Sequence, residues 1–287
     1  MSDASPLIEA LDSLSSRYRV ILCDVWGVIH NGVEHSPEAA AALVAARARG
    51  LCVVLVTNAP RPHPPIEAQL LGLGVPREAW DRIVTSGDVT RALIRENATR
   101  VFHLGPERDL SLYEGLDVEV VEESEARLVV CTGLFDDTNE TPEDYAEMLR
   151  RFRGRDIPMI CANPDVVVER GERLIWCAGA LARDYGQMGG RTLVAGKPFR
   201  PIYAEAFRQA EEVLGGPVDK REALAIGDGM LTDVKGAADY GLDVLYVSGG
   251  IHWRDYGDTA HQPDPTRLHA FLTGHGQKPV AVLSGLR

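Results

Sequence analysis

An almost wholly apolar run, Arg19-Val20-Ile21-Leu22-Cys23, delivers a single carboxylate, Asp24, and three residues further on the chain reaches a glycine, Gly27. Such a run suits a strand buried on both faces of a parallel sheet. Asp24 then lies at the carboxyl end of that strand, the edge of an open α/β sheet where ligands bind. The stretch Cys23-Asp24-Val25-Trp26-Gly27-Val28-Ile29-His30 reads as a nucleophile set on a turn.

The same device recurs. Residues 51–56 form a second buried run that delivers Thr57 and Asn58, and residues 82–86 a third. Later runs lead to Gly196-Lys197-Pro198, to Gly227-Asp228, and to Ser248. Helical patterns lie between them. Ser36-Pro37-Glu38 starts an alanine-rich helix, with Ser at the N-cap and Pro at the first helical position, and Gly50 closes it. Residues 6–18 have the apolar spacing of a short amphipathic helix, and residues 65–73 of another. Between about residues 91 and 190 the rhythm continues with a different set of strands, at 101–104, 118–121, 128–132 and 158–162, and with helices at about 141–152 and 178–185. This alternation predicts an α/β protein with a doubly wound parallel sheet. Residues 1–90 and 191–287 would form a Rossmann-like core, and residues 91–190 an inserted α/β domain.

The chain has 287 residues and a formal net charge of -12. That charge argues against nucleic acid or an anionic membrane as partner, both of which reward basic surfaces. A small anion remains compatible, because a few local cations and backbone N–H groups suffice to hold a phosphate. The five cysteines, at 23, 52, 131, 161 and 177, show no paired CxxC spacing and lie mostly in apolar runs, as buried free thiols do. No leader-like segment opens the chain and no apolar stretch approaches a membrane span, so a cytoplasmic setting is expected.

The strand ends offer Asp24, Thr57, Lys197, and Asp228 with Asp233. Together they suit phosphoryl transfer: a carboxylate attacks, a hydroxyl and an ammonium hold the phosphoryl oxygens, and clustered carboxylates bind Mg²⁺. The set Asp24-x-Trp26-Gly27-Val28, Val56-Thr57-Asn58, Gly196-Lys197-Pro198 and Gly227-Asp228-Gly229-x-x-Thr232-Asp233-x-x-Gly236-Ala237 resembles the four motifs of the haloacid dehalogenase superfamily. The insertion, with Ala162-Asn163-Pro164-Asp165, resembles the α/β cap of its class IIA phosphatases.

The resemblance implies a Mg²⁺-dependent phosphatase of a small phosphorylated metabolite, working through an aspartyl phosphate. Asp24 would be the nucleophile and a metal ligand, the Trp26 backbone carbonyl and Asp228 further ligands, and Asp233 a support. Thr57 and Lys197 would bind the transferring group. The substrate-binding set comprises Asn58, Arg61, Asn163, Asp165, Arg170 and His252, with residues 166–173, including Glu169 and Arg173, as the specificity region. Oligomeric state stays open, with pairing through the cap, frequent among class IIA relatives, as the candidate homodimer.

One position departs from the pattern. Phosphatases of this superfamily usually carry a second aspartate two residues after the nucleophile, which protonates the leaving oxygen and later activates water. Here that residue is Trp26. His30 and His252 are the candidates to replace it, though a loop histidine is more often a hydrogen-bonded filler. The departure keeps two alternatives open: hydrolysis of another bond, C–P or phosphoanhydride, and a phosphometabolite-binding or regulatory protein with little turnover.

Other bland readings stand beside the functional ones. Asn163-Pro164-Asp165 has the chemistry of a tight turn. Asp233 suits the first turn of a helix, and Arg61 a solvated loop.

Overall fold

The structure, a computed structural model, describes residues 4–97, 99–170 and 173–287. A single turn of helix, α1 (Asp12–Ser15), precedes β1 (Val20–Cys23), α2 (Pro37–Ala48), β2 (Cys52–Thr57), α3 (His63–Gly72) and β3 (Arg82–Thr85). Then follow α4 (Ser86–Asn97), β4 (Arg100–Leu104), β5 (Glu119–Val120), β6 (Leu128–Cys131), α5 (Ala146–Gly154) and β7 (Met159–Cys161). A hairpin, β8 (Val167–Arg170) and β9 (Arg173–Trp176), leads through α6 (Ala178–Gln187) to β10 (Thr192–Val194). The chain continues through α7 (Arg200–Leu214), β11 (Ala223–Gly227), α8 (Lys235–Tyr240), β12 (Asp243–Val247) and α9 (Trp253–Tyr256). It closes with a ribbon, β13 (Gly257–Thr259) and β14 (Gln262–Pro263), then α10 (Pro265–Gly274) and β15 (Ala281–Leu283).

These elements divide into two compact units: Met1–Thr57, Glu67–Val84 and Tyr203–Arg287 form one, and Asn58–Ile66 and Thr85–Ile202 the other. In the first, a six-stranded sheet has the order β15-β12-β11-β1-β2-β3. The ladders of β1 with β11 and β2, and of β12 with β11 and β15, are all parallel. Every residue of β1 and β2 is buried, as expected of strands covered on both faces. Each large aliphatic side chain so buried contributes roughly 1.5–3 kcal/mol on leaving water. α2 starts as its sequence predicts: the Ser36 hydroxyl accepts the Ala39 N–H at 3.2 Å, and Pro37 opens the helix.

The expected helix over residues 6–18 is not formed; only Asp12–Ser15 is helical. The segment before it pairs instead with β15. Ile8 donates its N–H to the Val282 carbonyl and Val282 donates to the Pro6 carbonyl, both at 2.9 Å. The exposed backbone of a sheet edge rewards such pairing, and helical spacing in the sequence does not register it.

The second unit has its own sheet, ordered β10-β7-β6-β4-β5, again with only parallel ladders. Leu104, Cys131, Leu149, Phe152, Met159 and Tyr185 pack in its core. β10, the strand that runs toward Lys197, pairs with β7 and so belongs to this sheet, rather than to the six-stranded one that the 191–287 boundary implied. The hairpin β8–β9 was not anticipated; it holds most of the residues expected to set specificity, with Gly171 and Glu172 outside the described residues. No helix among the described residues is long and apolar enough to cross a membrane. All five cysteines are buried free thiols.

Candidate active site

In the first unit, the chain builds the sheet outward in two directions, through β2 and β3 on one side of β1 and through β12 and β15 on the far side of β11. β1 and β11 are neighbours at this reversal, where doubly wound sheets bind ligands. Cys23 stands opposite Ile226, and the Asp24 N–H donates to the Ile226 carbonyl at 2.8 Å. Asp24 and Asp228 therefore leave the sheet side by side.

After Asp228 the chain makes one π-helical turn, Met230–Val234, a geometry frequent at functional sites. It turns Asp233 back toward β11. The Asp233 carboxylate accepts the Gly229 N–H at 3.1 Å and the Thr232 hydroxyl at 3.4 Å. A Cβ at residue 227 would lie 2.3 Å from the Cβ of Asp233, so only glycine admits this return. Asp24, Asp228 and Asp233 are all buried, and each offers a carboxylate oxygen within 4.8 Å of the other two. Three buried carboxylates at this spacing repel one another unless a cation lies among them. Hard oxygen donors only, few enough to leave room for several waters, fit Mg²⁺.

Asp228 is wedged between two glycines. A Cβ on Gly27, whose φ is +83°, would lie 2.2 Å from Asp228 Oδ2, and one on Gly250 would lie 2.0 Å from the same atom and 2.2 Å from the Asp228 Cβ. The Ile251 N–H donates to Asp228 Oδ2 at 2.8 Å. Motif reading passed over Gly250 and Ile251; the paired Gly249-Gly250 just after a strand-end Ser248 was the available signal.

Trp26 sits in the turn, where its ring meets His30 edge-on at 4.9 Å between centroids. Neither candidate histidine carries an acidic proton near neutral pH. Burial pushes His30 down to about 4, and its Nδ1 accepts the Gly32 N–H at 2.9 Å. His252 is also lowered by burial; its Nε2 accepts the Met230 N–H, and its Nδ1 lies 3.3 Å from Asp255. A neutral imidazole that accepts a backbone N–H, through Nδ1 in His30 and Nε2 in His252, acts as a structural acceptor rather than an acid. Thr57 closes β2 and is buried.

In the second unit, Asn58 is a hub. Its Oδ1 accepts the Lys197 N–H at 2.7 Å, while its amide donates to the Lys197 carbonyl at 3.3 Å and to Asp165 Oδ1 at 2.9 Å. Gly196, at φ +90°, leaves room for this: a Cβ there would stand 2.6 Å from Asn58 Oδ1. Asn163 accepts the Asp165 N–H at 3.1 Å, the tight turn its composition predicts. The structure thus brings Asn58, Asn163, Asp165 and Lys197 into one network.

Arg61 and Arg170 are engaged elsewhere in this unit. Arg61 Nε lies 3.6 Å from Asp109, whose carboxyl is raised by burial against the pull of nearby arginines. Arg170 grips Asp137 with two bonds, at 2.9 and 3.2 Å, and Arg108 pairs with the same carboxylate. Burial opposes ionisation of Asp137, but the two guanidiniums outweigh it and hold its carboxyl below the usual range. Arg170 therefore ties β8 to the loop after β6.

A doubly wound parallel sheet with three buried carboxylates at its switch point defines a class of α/β proteins built to hold a hard cation beside a carboxylate. Residues 21–119 match a family described as haloacid dehalogenase-like hydrolase, and residues 194–270 a second family of HAD-like hydrolases. A hydrolase of the haloacid dehalogenase-like family from Brucella suis 1330 is 60% identical, with a TM-score of 0.89, over 98% of this chain and 100% of that one. The 5'-nucleotidase YutF of Bacillus subtilis is 25% identical over 83% of this chain and 90% of its own length. A glycerol phosphate phosphatase from Mycobacterium tuberculosis, solved in complex with magnesium, shares the fold at a TM-score of 0.64 and 23% identity, over 91% of this chain and 79% of that one. The chain belongs to the haloacid dehalogenase-like hydrolase family, and it is an enzyme of hydrolytic type.

Proposed function

We propose that the protein is a Mg²⁺-dependent phosphomonoester hydrolase acting on a small phosphorylated metabolite. The observation that carries this reading is the buried group Asp24, Asp228 and Asp233, with oxygens within 4.8 Å of one another. Phosphatase relatives such as the 5'-nucleotidase YutF support it.

Asp24 is the nucleophile. One of its carboxylate oxygens attacks phosphorus, the P–O bond to the leaving group breaks, and the phosphoryl group is held as an acyl phosphate until water cleaves it. Asp24, Asp228, Asp233 and the Trp26 carbonyl would hold Mg²⁺, which when bound offsets the charge between carboxylate and phosphate. Thr57 and Lys197 take the phosphoryl oxygens by the motifs they share with the family. Asn58 fixes the backbone on both sides of the Lys197 Cα, which orients that side chain. We assign the second unit, with its five-stranded sheet, the part of the inserted cap, and the β8–β9 hairpin the choice of substrate. Five buried free thiols suit a reducing cytoplasm.

Trp26 favours a narrower version of this reading. With an indole where a proton carrier belongs, and with His30 and His252 both neutral acceptors, the first unit offers no ready acid among the described residues. Among monoesters, those whose leaving group departs unprotonated, such as aryl phosphates, are favoured, and the anhydride bonds of acyl phosphates and phosphoanhydrides come within reach on the same ground.

The test is phosphate release from p-nitrophenyl phosphate, acetyl phosphate and a panel of alkyl phosphates, with and without Mg²⁺. Turnover that requires Mg²⁺ and vanishes in Asp24→Asn supports the proposal. Mg²⁺-dependent phosphometabolite binding without turnover on any of them would replace it with a regulatory role.

A further inference from the structure

The segment Gly249–Asp255, which follows β12 and carries none of the four motifs, makes three separate contacts with the loop that bears Asp228. The Ile251 N–H donates to Asp228 Oδ2 at 2.8 Å. His252 Nε2 accepts the Met230 N–H at 3.3 Å, and is itself braced by Asp255 and by the ring of Phe271 at 5.3 Å. Gly250 lies so close that a Cβ would stand 2.2 Å from the Asp228 Cβ. On its other side the segment lies close to β15: a Cβ on Gly249 would stand 2.0 Å from the Ser284 carbonyl oxygen, just beyond that strand.

We propose that Gly250 and Ile251 are positioning residues for the metal site: they turn Asp228 Oδ2 onto the Ile251 N–H, so that this carboxylate meets the cation through Oδ1 alone. The inference rests on the reading of Asp228 as a Mg²⁺ ligand. A carboxylate has two oxygens, and nothing in its own chemistry limits it to one. Here Oδ2 is held by a backbone donor at 2.8 Å, and the glycines at 27 and 250 bring the backbone close against the side chain on both sides. The physical consequence is selectivity. Mg²⁺ demands near-octahedral geometry with single oxygens, whereas Ca²⁺ accepts bidentate carboxylates and a larger ligand number. A carboxylate locked to one oxygen favours the smaller ion. Orienting partners of this kind typically change metal affinity by about 10–100-fold.

His252 belongs to the same device. Its imidazole holds the backbone of the π-helical turn between Asp228 and Asp233, which fixes the spacing of two of the three carboxylates. This assigns it to the support of the metal loop and away from the substrate.

Two changes test the proposal. Replacing isoleucine 251 by its α-hydroxy analogue exchanges the 250–251 amide for an ester, which removes the N–H and weakens the Gly250 carbonyl that accepts the Trp253 N–H at 3.1 Å; Gly250→Ala pushes on the Asp228 side chain directly. Mg²⁺ and Ca²⁺ affinities are measured by titration calorimetry without substrate, and folding is checked by melting in EDTA. The expected result is a loss of Mg²⁺ affinity of about tenfold or more, a smaller loss for Ca²⁺, and hence a fall in the Mg²⁺/Ca²⁺ ratio that a general loss of stability would not produce. An ester variant that folds and keeps the wild-type affinities and ratio overturns the clamp while leaving the metal site standing. Wild-type protein that binds no Mg²⁺ overturns the reading of the site, and the clamp with it. Should Gly250→Ala not fold, the ester variant decides alone.

Discussion

The backbone N–H of Asp24 donates to the carbonyl of Ile226, and this bond sets the level at which the Asp24 and Asp228 carboxylates leave the sheet. Two residues past Ile226 lies Asp228 itself. The pairing of β1 with β11 thus does more than close a sheet: its register, Cys23 against Ile226, aligns two acids 204 residues apart in the chain.

The leaving group should govern the rate. With Trp26 in the turn and both nearby histidines neutral, acetyl and p-nitrophenyl phosphate should outpace simple alkyl phosphates in kcat by about 10²–10⁴, the usual worth of general acid–base help. Installing the carboxylate, Trp26→Asp, should narrow that gap. Equal rates on activated and alkyl esters in the wild-type protein would show that a proton donor is present after all.

Asn58→Ala should cost about 1–3 kcal/mol, because it leaves the buried Lys197 N–H without its acceptor. Activity should fall further than stability alone explains, since the lysine backbone loses both of its Asn58 bonds. Denaturant unfolding gives the first quantity and kcat/KM at saturating Mg²⁺ the second. A variant with full activity would show that Lys197 needs no such support.

Asp137→Ala should release β8 from the loop after β6, at a cost of about 1–2 kcal/mol given that the arginines are partly solvated. The Asp137 carboxyl is held below its usual value, so the folded state binds its proton less readily than the unfolded chain. Its contribution is full above the unfolded-state pKa, about 3.9, and fades as pH falls through the lower folded value. The gap between the melting profiles of wild type and variant, constant at neutral pH, should therefore narrow once the pH falls below about 3.9. A gap that persists unchanged there would rule out the ion pair as its source.

His30 works in the opposite sense. Its pKa is lowered to about 4 by burial, so the unfolded chain takes up a proton first as pH falls from 6.5. Stability should drop across the window from about 6.5 to 4, by on the order of 3 kcal/mol. His30→Gln, which can still accept the Gly32 N–H, should flatten that slope in denaturation measured in EDTA. An identical slope in the variant would place the titration elsewhere.

What the sequence discloses, and what it hides, follows the range of the interactions. Asp24 and Thr57 are legible because a buried run followed by a polar residue marks a strand end within a few residues. The Ser36 cap is legible for the same reason. The helix expected over residues 6–18 failed because the competing partner, Val282, lies far along the chain. That residues 192–194 form a strand was readable, but not which sheet would take it, since both sheets want the same apolar run. The pairing of Arg170 with Asp137 was hidden because the two lie thirty-three residues apart. Gly250 carried no motif, and its meaning appears only when Asp228 is set beside it.

The five thiols give the molecule a built-in record of its own opening. Cys23 and Cys52 are sealed in one unit and Cys131, Cys161 and Cys177 in the other. Burial pushes the Cys52 and Cys161 thiols up to about 12, and raises Cys131 and Cys177 as well. An alkylating reagent can reach them only when the surrounding strands part. The rate at which each cysteine is labelled, resolved by mass spectrometry, would therefore clock the two units separately, with Cys23 timing the strand end that carries Asp24.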